Sequence, residues 1–202
     1  MYKIITLISV LLLFNGVVLG ASPEEAVYSH LTARYQFDAS SPQFIQSAKT
    51  LDKDCIPLMI EIMNTESMQN KWIKKVSPIK PFYYHLSSDI VANHMLYKIV
   101  LALPYISQDT TVVDAVYQFT VHSMQTNQSL WCADIGAQSM SMMTTDYSHD
   151  KLKQLHSDVT NGKYNFEFVK RTNDKVTKAI EKYPEYLQRF LDNQEKRRKG
   201  EL

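Results

Sequence analysis

The chain has little glycine, and this shortage argues against several common enzyme designs. Beyond residue 20, glycine occurs only at Gly136, Gly162 and Gly200. Phosphate-binding loops and dinucleotide-binding turns need clustered glycines, because the backbone must approach the ligand closely. A serine nucleophile elbow needs a glycine on each side of the serine. The three isolated glycines therefore argue against nucleotide-binding loops and against serine hydrolases of this kind.

Cysteine is also scarce, with Cys55 and Cys132 the two in the chain. The sequence contains neither a Cys-x-x-Cys nor a His-Glu-x-x-His motif, which argues against dithiol redox chemistry and zinc-protease chemistry. Apart from Lys53, no basic residue beside either cysteine suggests a lowered thiol pKa. Lys53 is two positions from Cys55, which is the wrong spacing for one helix face. We therefore predict no catalytic, cofactor-binding or metal-binding residues.

The chain lacks a net charge once its first twenty residues are set aside. The remaining 21 basic and 21 acidic residues cancel, which gives no support to a nucleic-acid partner or an anionic membrane surface. Residues 21–150 nevertheless carry a net charge of −5, and residues 151–202 carry +5. This asymmetry can steer a charged partner, or it can reflect a basic final helix in solvent.

The first twenty residues have the pattern of a secretory signal peptide. Lys3 precedes an apolar run from Ile4 to Phe14, and small residues before Ala21 match a cleavage site. The run is shorter than the about twenty residues that a spanning helix needs. The sequence predicts export to the periplasm or the extracellular space, with no membrane association after cleavage. Because disulfides form in such oxidising compartments, we predict a bridge between Cys55 and Cys132.

Helix signals recur from Ala21 to the C-terminus. Ser22-Pro23 and Ser41-Pro42 are typical helix starts, Asn161-Gly162 predicts a left-handed helix end, and apolar residues between them recur every three or four positions. Residues 82–103 are the longest helix candidate, stopped by Pro104. The sequence predicts an all-α domain over 21–202, with eight to nine helices in antiparallel hairpins, alternatively a short superhelical stack.

The C-terminal region contains two points at which local patterns compete. Residues 164–170 alternate like a strand but also fit a helix, and we favour the helix because no partner strand is visible. Tyr183-Pro184 predicts the restart of the chain into a last helix through Leu187, Phe190 and Leu191. Residues 184–202 then form a basic C-terminal helix or tail.

Three polar or soft groups are candidates for special chemistry. Met59, Met63, Met124, Met140, Met142 and Met143 offer thioethers for Cu(I), although core packing is the commoner use of methionine. Asn93 and His94 interrupt an apolar helix, as a satisfied buried pair or as the lining of a pocket. Asp146, His149 and Asp150 lie at helical spacing, but Ser148 as a helix cap would separate them.

Two short motifs concern processing. Asn127-Gln128-Ser129 matches a glycosylation acceptor, and Asn127 is equally suited to cap a helix. The C-terminal KGEL differs from the endoplasmic-reticulum retrieval signal KDEL by Gly200 in place of the acidic residue. Neither motif changes the functional prediction.

The absence of catalytic motifs, the many tyrosines and the charge asymmetry together favour a non-enzymatic binding protein. We predict that it docks on another protein, as an inhibitor or as an immunity factor against a toxin. One alternative is a carrier of a small ligand or Cu(I) near His94 and the methionines. Another is an enzyme of unfamiliar design that uses Asp146, His149 and Asp150.

Overall fold

The described part of the computed structural model comprises residues 21–33, 39–78, 87–126, 130–164 and 169–199. In these residues the fold is all-α, as predicted, with nine α-helices, one short 3₁₀ turn and no strand. The helices are α1 (Pro23–Thr32), α2 (Pro42–Lys49), α3 (Ile56–Asn64), α4 (Glu66–Val76), α5 (Ser88–Ile106), α6 (Thr110–Thr126), α7 (Leu130–Met142), α8 (Asp146–Thr160) and α9 (Val169–Lys199). The 3₁₀ turn, Lys53–Cys55, precedes α3.

The first two helices begin where the sequence predicts. The Ser22 hydroxyl accepts a hydrogen bond from the Glu25 backbone, and the Glu25 carboxylate accepts one in return from the Ser22 backbone. Ser41 caps α2 in a similar way through the Phe44 backbone. Both helices carry proline in the first turn, where its missing N–H costs nothing. Side chains thus satisfy backbone donors that a helix start leaves unpaired.

Helix α7 lies at the centre of the molecule and packs against α5, α6, α8 and α9. Its buried residues are mostly small, namely Ala133, Gly136, Ala137, Ser139 and Ser141. A Cβ atom on Gly136 would lie 1.9 Å from the Thr120 side-chain oxygen of α6. Glycine at this position therefore lets α6 and α7 approach more closely than any larger residue would allow.

Helix α5 passes through Pro104 and ends at Ile106, so the predicted stop at Pro104 is wrong by two residues. Proline has no N–H for the carbonyl of Val100, four residues earlier. The Ser139 hydroxyl of α7 donates a 2.7 Å hydrogen bond to that carbonyl. A neighbouring helix thus supplies the donor that proline lacks, and the last turn of α5 persists.

Helix α8 starts earlier than predicted, because Thr145 rather than Ser148 is the cap. The Thr145 side chain accepts a hydrogen bond from the Ser148 backbone. The Ser148 hydroxyl instead donates to the Met140 carbonyl at the end of α7. Asp146, His149 and Asp150 consequently belong to one uninterrupted helix.

Helix α9 is continuous over its 31 residues and contains Pro184, so the predicted restart at Tyr183-Pro184 is wrong. Pro184 is exposed, and water can therefore solvate the carbonyl of Ile180 that proline leaves without its usual donor. The predicted left-handed turn before α9 is confirmed, since Gly162 has a φ of 71°.

The predicted disulfide is not present, because Cys55 and Cys132 are buried thiols that are not bridged to each other. Cys55 ends the 3₁₀ turn before α3, whereas Cys132 lies in the first turn of α7. Helices α5 and α6 each contact both the helix that follows Cys55 and the helix that contains Cys132.

Several predictions concern residues outside the described ranges. These are the signal peptide at residues 1–20, the triplet at 127–129, residues 165–168 of the alternating segment and most of the KGEL sequence. In the ranges that are described, no helix combines the length and apolar character needed to cross a bilayer.

Candidate functional site

The methionines that suggested a soft-metal site are part of the hydrophobic core. Met59, Met63, Met124, Met140 and Met143 are buried among aliphatic side chains. Helices α6 and α7 are antiparallel, since Thr120 faces Gly136 and Gln108 bonds Thr144. Met124 and Met140 therefore lie at opposite ends of this helix pair. The thioethers of α6 and α7 do not converge on one point, and core packing explains their presence.

His94 is partly buried on α5, one turn before Lys98. Burial lowers the pKa of His94, and the nearby charge of Lys98 lowers it further. Both influences favour the neutral imidazole. Asn93, its neighbour, is also partly buried. The sequence drew attention to this part of α5, but the more deeply buried polar group is Lys98.

Lys98, His30 and Ser47 form what we call the buried polar cluster, between α5, α1 and α2. Lys98 is 1% exposed, and its ammonium group donates hydrogen bonds to the carbonyls of Leu31 (2.6 Å) and Ala33 (3.0 Å). These carbonyls lie at the C-terminal end of α1, where the helix dipole favours a cation. Burial nevertheless lowers the pKa of Lys98 to about 8.

His30 contacts the backbone of Lys98 and is also 1% exposed. Its Nε2 is 3.1 Å from the Lys98 carbonyl, and its Nδ1 is 2.9 Å from the Ser47 hydroxyl. A carbonyl can only accept, so Nε2 carries the proton and the Ser47 hydroxyl donates to Nδ1. Burial is the main reason that the pKa of His30 falls to about 4. Both ring nitrogens are engaged, as expected of a structural histidine.

An open pocket of about 280 Å³ lies next to His30, between α1 and α2. Its lining consists of Ser29, His30, Ala33, Gln43, Gln46, Ser47 and Thr50. These side chains carry amides and hydroxyls but no acid and no amine. His30 already uses both ring nitrogens within the fold, so the pocket has no group poised for acid–base chemistry.

The junction between α8 and α9 brings together the third set of candidates. The His149 ring stacks on the Tyr183 ring, with centroids 4.0 Å apart and an interplanar angle of 9°. Asp146 and Asp150 lie on the same two turns of α8 and are exposed. Burial is the largest factor that lowers the pKa of His149, followed by Lys153. In the described ranges, no three acidic, histidine or cysteine side chains are arranged to hold a metal ion.

Beyond Tyr183, helix α9 continues as what we call the C-terminal extension, residues 184–199. Every described residue in it is exposed or only partly buried. Leu191 is 48% exposed, and Leu187 lies one turn before it on the same face. The polar face carries ion pairs between Arg189 and Glu185 (2.6 Å) and between Lys199 and Glu195 (2.8 Å). The extension is thus an amphipathic helix whose apolar stripe faces solvent.

The comparisons with known proteins add no relative: no family model matches the chain, and no curated protein or solved structure has a significant match to it. Function must therefore be inferred from the residues themselves.

Proposed function

We propose that the protein is an exported binding protein that acts through protein–protein contacts and that the C-terminal extension is its contact surface. Its biological role would be that of an inhibitor or of an immunity factor against a secreted toxin. The N-terminal signal-peptide pattern supports export, and the sequence contains no complete catalytic motif. The Leu187–Leu191 stripe, in which Leu191 is exposed and Leu187 is only partly buried, is the observation on which the proposal rests.

The physical reason is that an isolated helix of this length is marginally stable in water. Most helical stability in proteins comes from packing an apolar face against another element. The extension spans about 24 Å at 1.5 Å per residue. Over this length, it buries none of its described residues within the chain. A partner that covers Leu187 and Leu191 would provide the missing packing, as in complexes where a helix docks into an apolar groove.

The polar face of the extension suits a helix that stays soluble until it is bound. It carries charges of both signs, and the ion pairs between residues four positions apart support the helix. An apolar stripe that contains only a few large residues is also small enough to be tolerated on a free protein.

Affinity capture with matched variants tests the proposal. The purified protein is immobilised and exposed to the extracytoplasmic fraction of its native host. We expect a stoichiometric protein partner, whose binding is then reproduced with that partner purified. Leu187→Glu/Leu191→Glu should abolish capture. Gln118→Glu/Gln125→Glu, which adds the same charge at exposed positions on α6, should leave it intact.

Two results would contradict the proposal. One is the absence of any stoichiometric partner. The other is a partner that the leucine variant and the glutamine variant retain equally well.

A further inference from the structure

Helices α8 and α9 form an antiparallel hairpin in which α9 is the longer member. Two hydrogen bonds cross this hairpin. The Thr160 hydroxyl lies 3.4 Å from the Asn173 side-chain oxygen, and the Thr177 hydroxyl lies 3.4 Å from Nδ1 of His156. His149 stacks on Tyr183 near the start of α8. Helix α8 begins at Asp146, one turn before His149. Because the two helices are antiparallel, the part of α9 that follows Tyr183 soon extends beyond the start of α8. Among the described residues, α8 therefore does not run alongside the C-terminal extension.

The apolar stripe of the extension continues the face that packs against the body. Val176 and Ala179 are buried, and Tyr183 is 4% exposed. Leu187 and Leu191 follow Tyr183 at intervals of four residues, which keeps them on that same face. A helix placed in line with α8 would cover both leucines.

The start of α8 is acidic. We call Asp146, Asp150 and Tyr183 the acidic notch. Asp146 and Asp150 are exposed, whereas Tyr183 is 4% exposed. Asp146 and Asp150 are close enough to Tyr183 to add to the effect of burial in raising the pKa of its hydroxyl. The two exposed carboxylates lie one turn apart on α8, so the notch suits an incoming cation.

The far end of the extension carries the complementary charge. Residues 196–199 read Lys-Arg-Arg-Lys, and Lys196 and Lys199 are exposed. Leu191 lies eight residues from Tyr183 and eight from Lys199. Two extensions that pair antiparallel about Leu191 would therefore place Lys199 of each chain level with Tyr183 of the other. The basic end of one copy would then meet the acidic notch of its partner.

We propose that the occupant of the position in line with α8 is a second copy of the chain, paired through the C-terminal extensions as an antiparallel, two-fold symmetric dimer. The inference rests on the proposed function in that it uses the same contact surface, so a foreign partner and a second copy compete for it. The dimer interface contains two copies of the leucine stripe and two contacts between a basic end and an acidic notch, as two-fold symmetry requires. One pair of short helices is small beside the about 800 Å² that each partner buries in a stable complex. The dimer is therefore expected to be weak and dependent on concentration.

Sedimentation velocity of the purified protein at micromolar to several hundred micromolar concentration measures this dimer. We expect a shift from the mass of the monomer towards twice that mass. Leu191→Glu should remain monomeric throughout. Gln118→Glu should dimerise like the wild type, because it adds the same charge away from the extension.

Charge reversal tests the antiparallel arrangement. Asp146→Lys/Asp150→Lys and Lys196→Glu/Lys199→Glu should each weaken dimerisation about tenfold, since each places like charges together at both ends. An equimolar mixture of the two variants should recover the wild-type affinity, because every contact in the mixed dimer again joins opposite charges. In a parallel pair, each reversal alone would replace one contact between like charges by another and leave the affinity unchanged, whereas the antiparallel pair is weakened by each reversal alone.

A monomer at every concentration overturns the inference, as does a dimer that survives Leu191→Glu or a charge-reversed mixture that fails to recover. Leucine-dependent binding of the monomer to phosphatidylglycerol vesicles would assign the extension to a membrane surface instead. Affinity capture decides the proposed function separately. A monomeric protein that captures a foreign partner through Leu187 and Leu191 retains that function and loses only the dimer.

Discussion

The buried polar cluster and the C-terminal extension depart from ordinary protein architecture in opposite directions. The cluster buries a lysine and a histidine almost completely, whereas the extension leaves Leu191 in solvent and Leu187 only partly buried. The polar groups of the cluster form hydrogen bonds with carbonyls and a hydroxyl. These hydrogen bonds offset the free-energy cost of burying the polar groups. The apolar side chains of the extension have no comparable partner among the described residues. The first region therefore serves the fold, and the second is available for binding.

The largest expected effect comes from removing the buried amine. Lys98→Ala leaves the carbonyls of Leu31 and Ala33 without their donor and creates a cavity between α1 and α5. We expect a loss of about 3–5 kcal/mol in the free energy of unfolding, measured by urea denaturation at pH 7. Lys178→Ala, at an exposed position on α9, should change it by less than about 0.5 kcal/mol. Equal, small effects at both positions would show that Lys98 does not hold α1 in place.

The next effect is the dependence of stability on pH, through His30. Its pKa is 6.5 in the unfolded chain and about 4 in the folded one. Between these values, the unfolded chain binds a proton that the folded chain does not, so stability falls as the pH drops from 6.5 to 4. The contribution is roughly 3 kcal/mol at about 1.4 kcal/mol per pKa unit. Lys98 is the charged group that faces His30, and its positive charge adds to the effect of burial.

His30→Gln isolates this contribution in urea titrations at several pH values. Carboxylates with lowered pKa values, such as Asp109 and Asp114, also lose stabilising interactions in acid and do so in both proteins. The wild type should lose more stability than the variant between pH 6.5 and 4. Parallel curves for the two proteins would mean that His30 is not held neutral by its surroundings.

The smallest expected effect belongs to the extension. Leu187→Glu/Leu191→Glu should change the unfolding free energy of dilute monomer by less than about 0.5 kcal/mol, as exposed substitutions usually do. Val176→Ala, on the buried part of the same helix face, should cost roughly 2 kcal/mol through the cavity it leaves. Thermal and urea unfolding at low micromolar concentration provide the measurement. A large loss for the leucine variant would place these side chains in the core and remove the contrast.

Local chemistry explains which parts of the fold were predictable from sequence. The caps at Ser22 and Ser41 and the turn at Gly162 depend on residues within a few positions, and all three are confirmed. Ser148 and Thr145 can both cap a helix. The choice between them depends on the Met140 carbonyl of another helix, which no local pattern contains. The continuity of α9 through Pro184 likewise depends on its position at the exposed edge of the body.

The candidate site was predictable only in part. The sequence predicted Leu187 and Leu191 as part of an apolar helix face, but their environment depends on where α8 begins. Lys98 was missed, because a lysine within an apolar run can also extend its amine to the surface. Its role requires the C-terminal end of α1, more than sixty residues earlier in the sequence, to lie beside it.

The hydrogen bond from Ser139 to Val100 has a consequence for folding order. The turn of α5 that contains Pro104 lacks its own donor, so this turn is complete only when α7 is in place. An isolated α5 would fray at this end, and docking of α7 would repair it. Secondary structure in α5 is thereby coupled to tertiary contact, which makes the folding transition around α7 more cooperative.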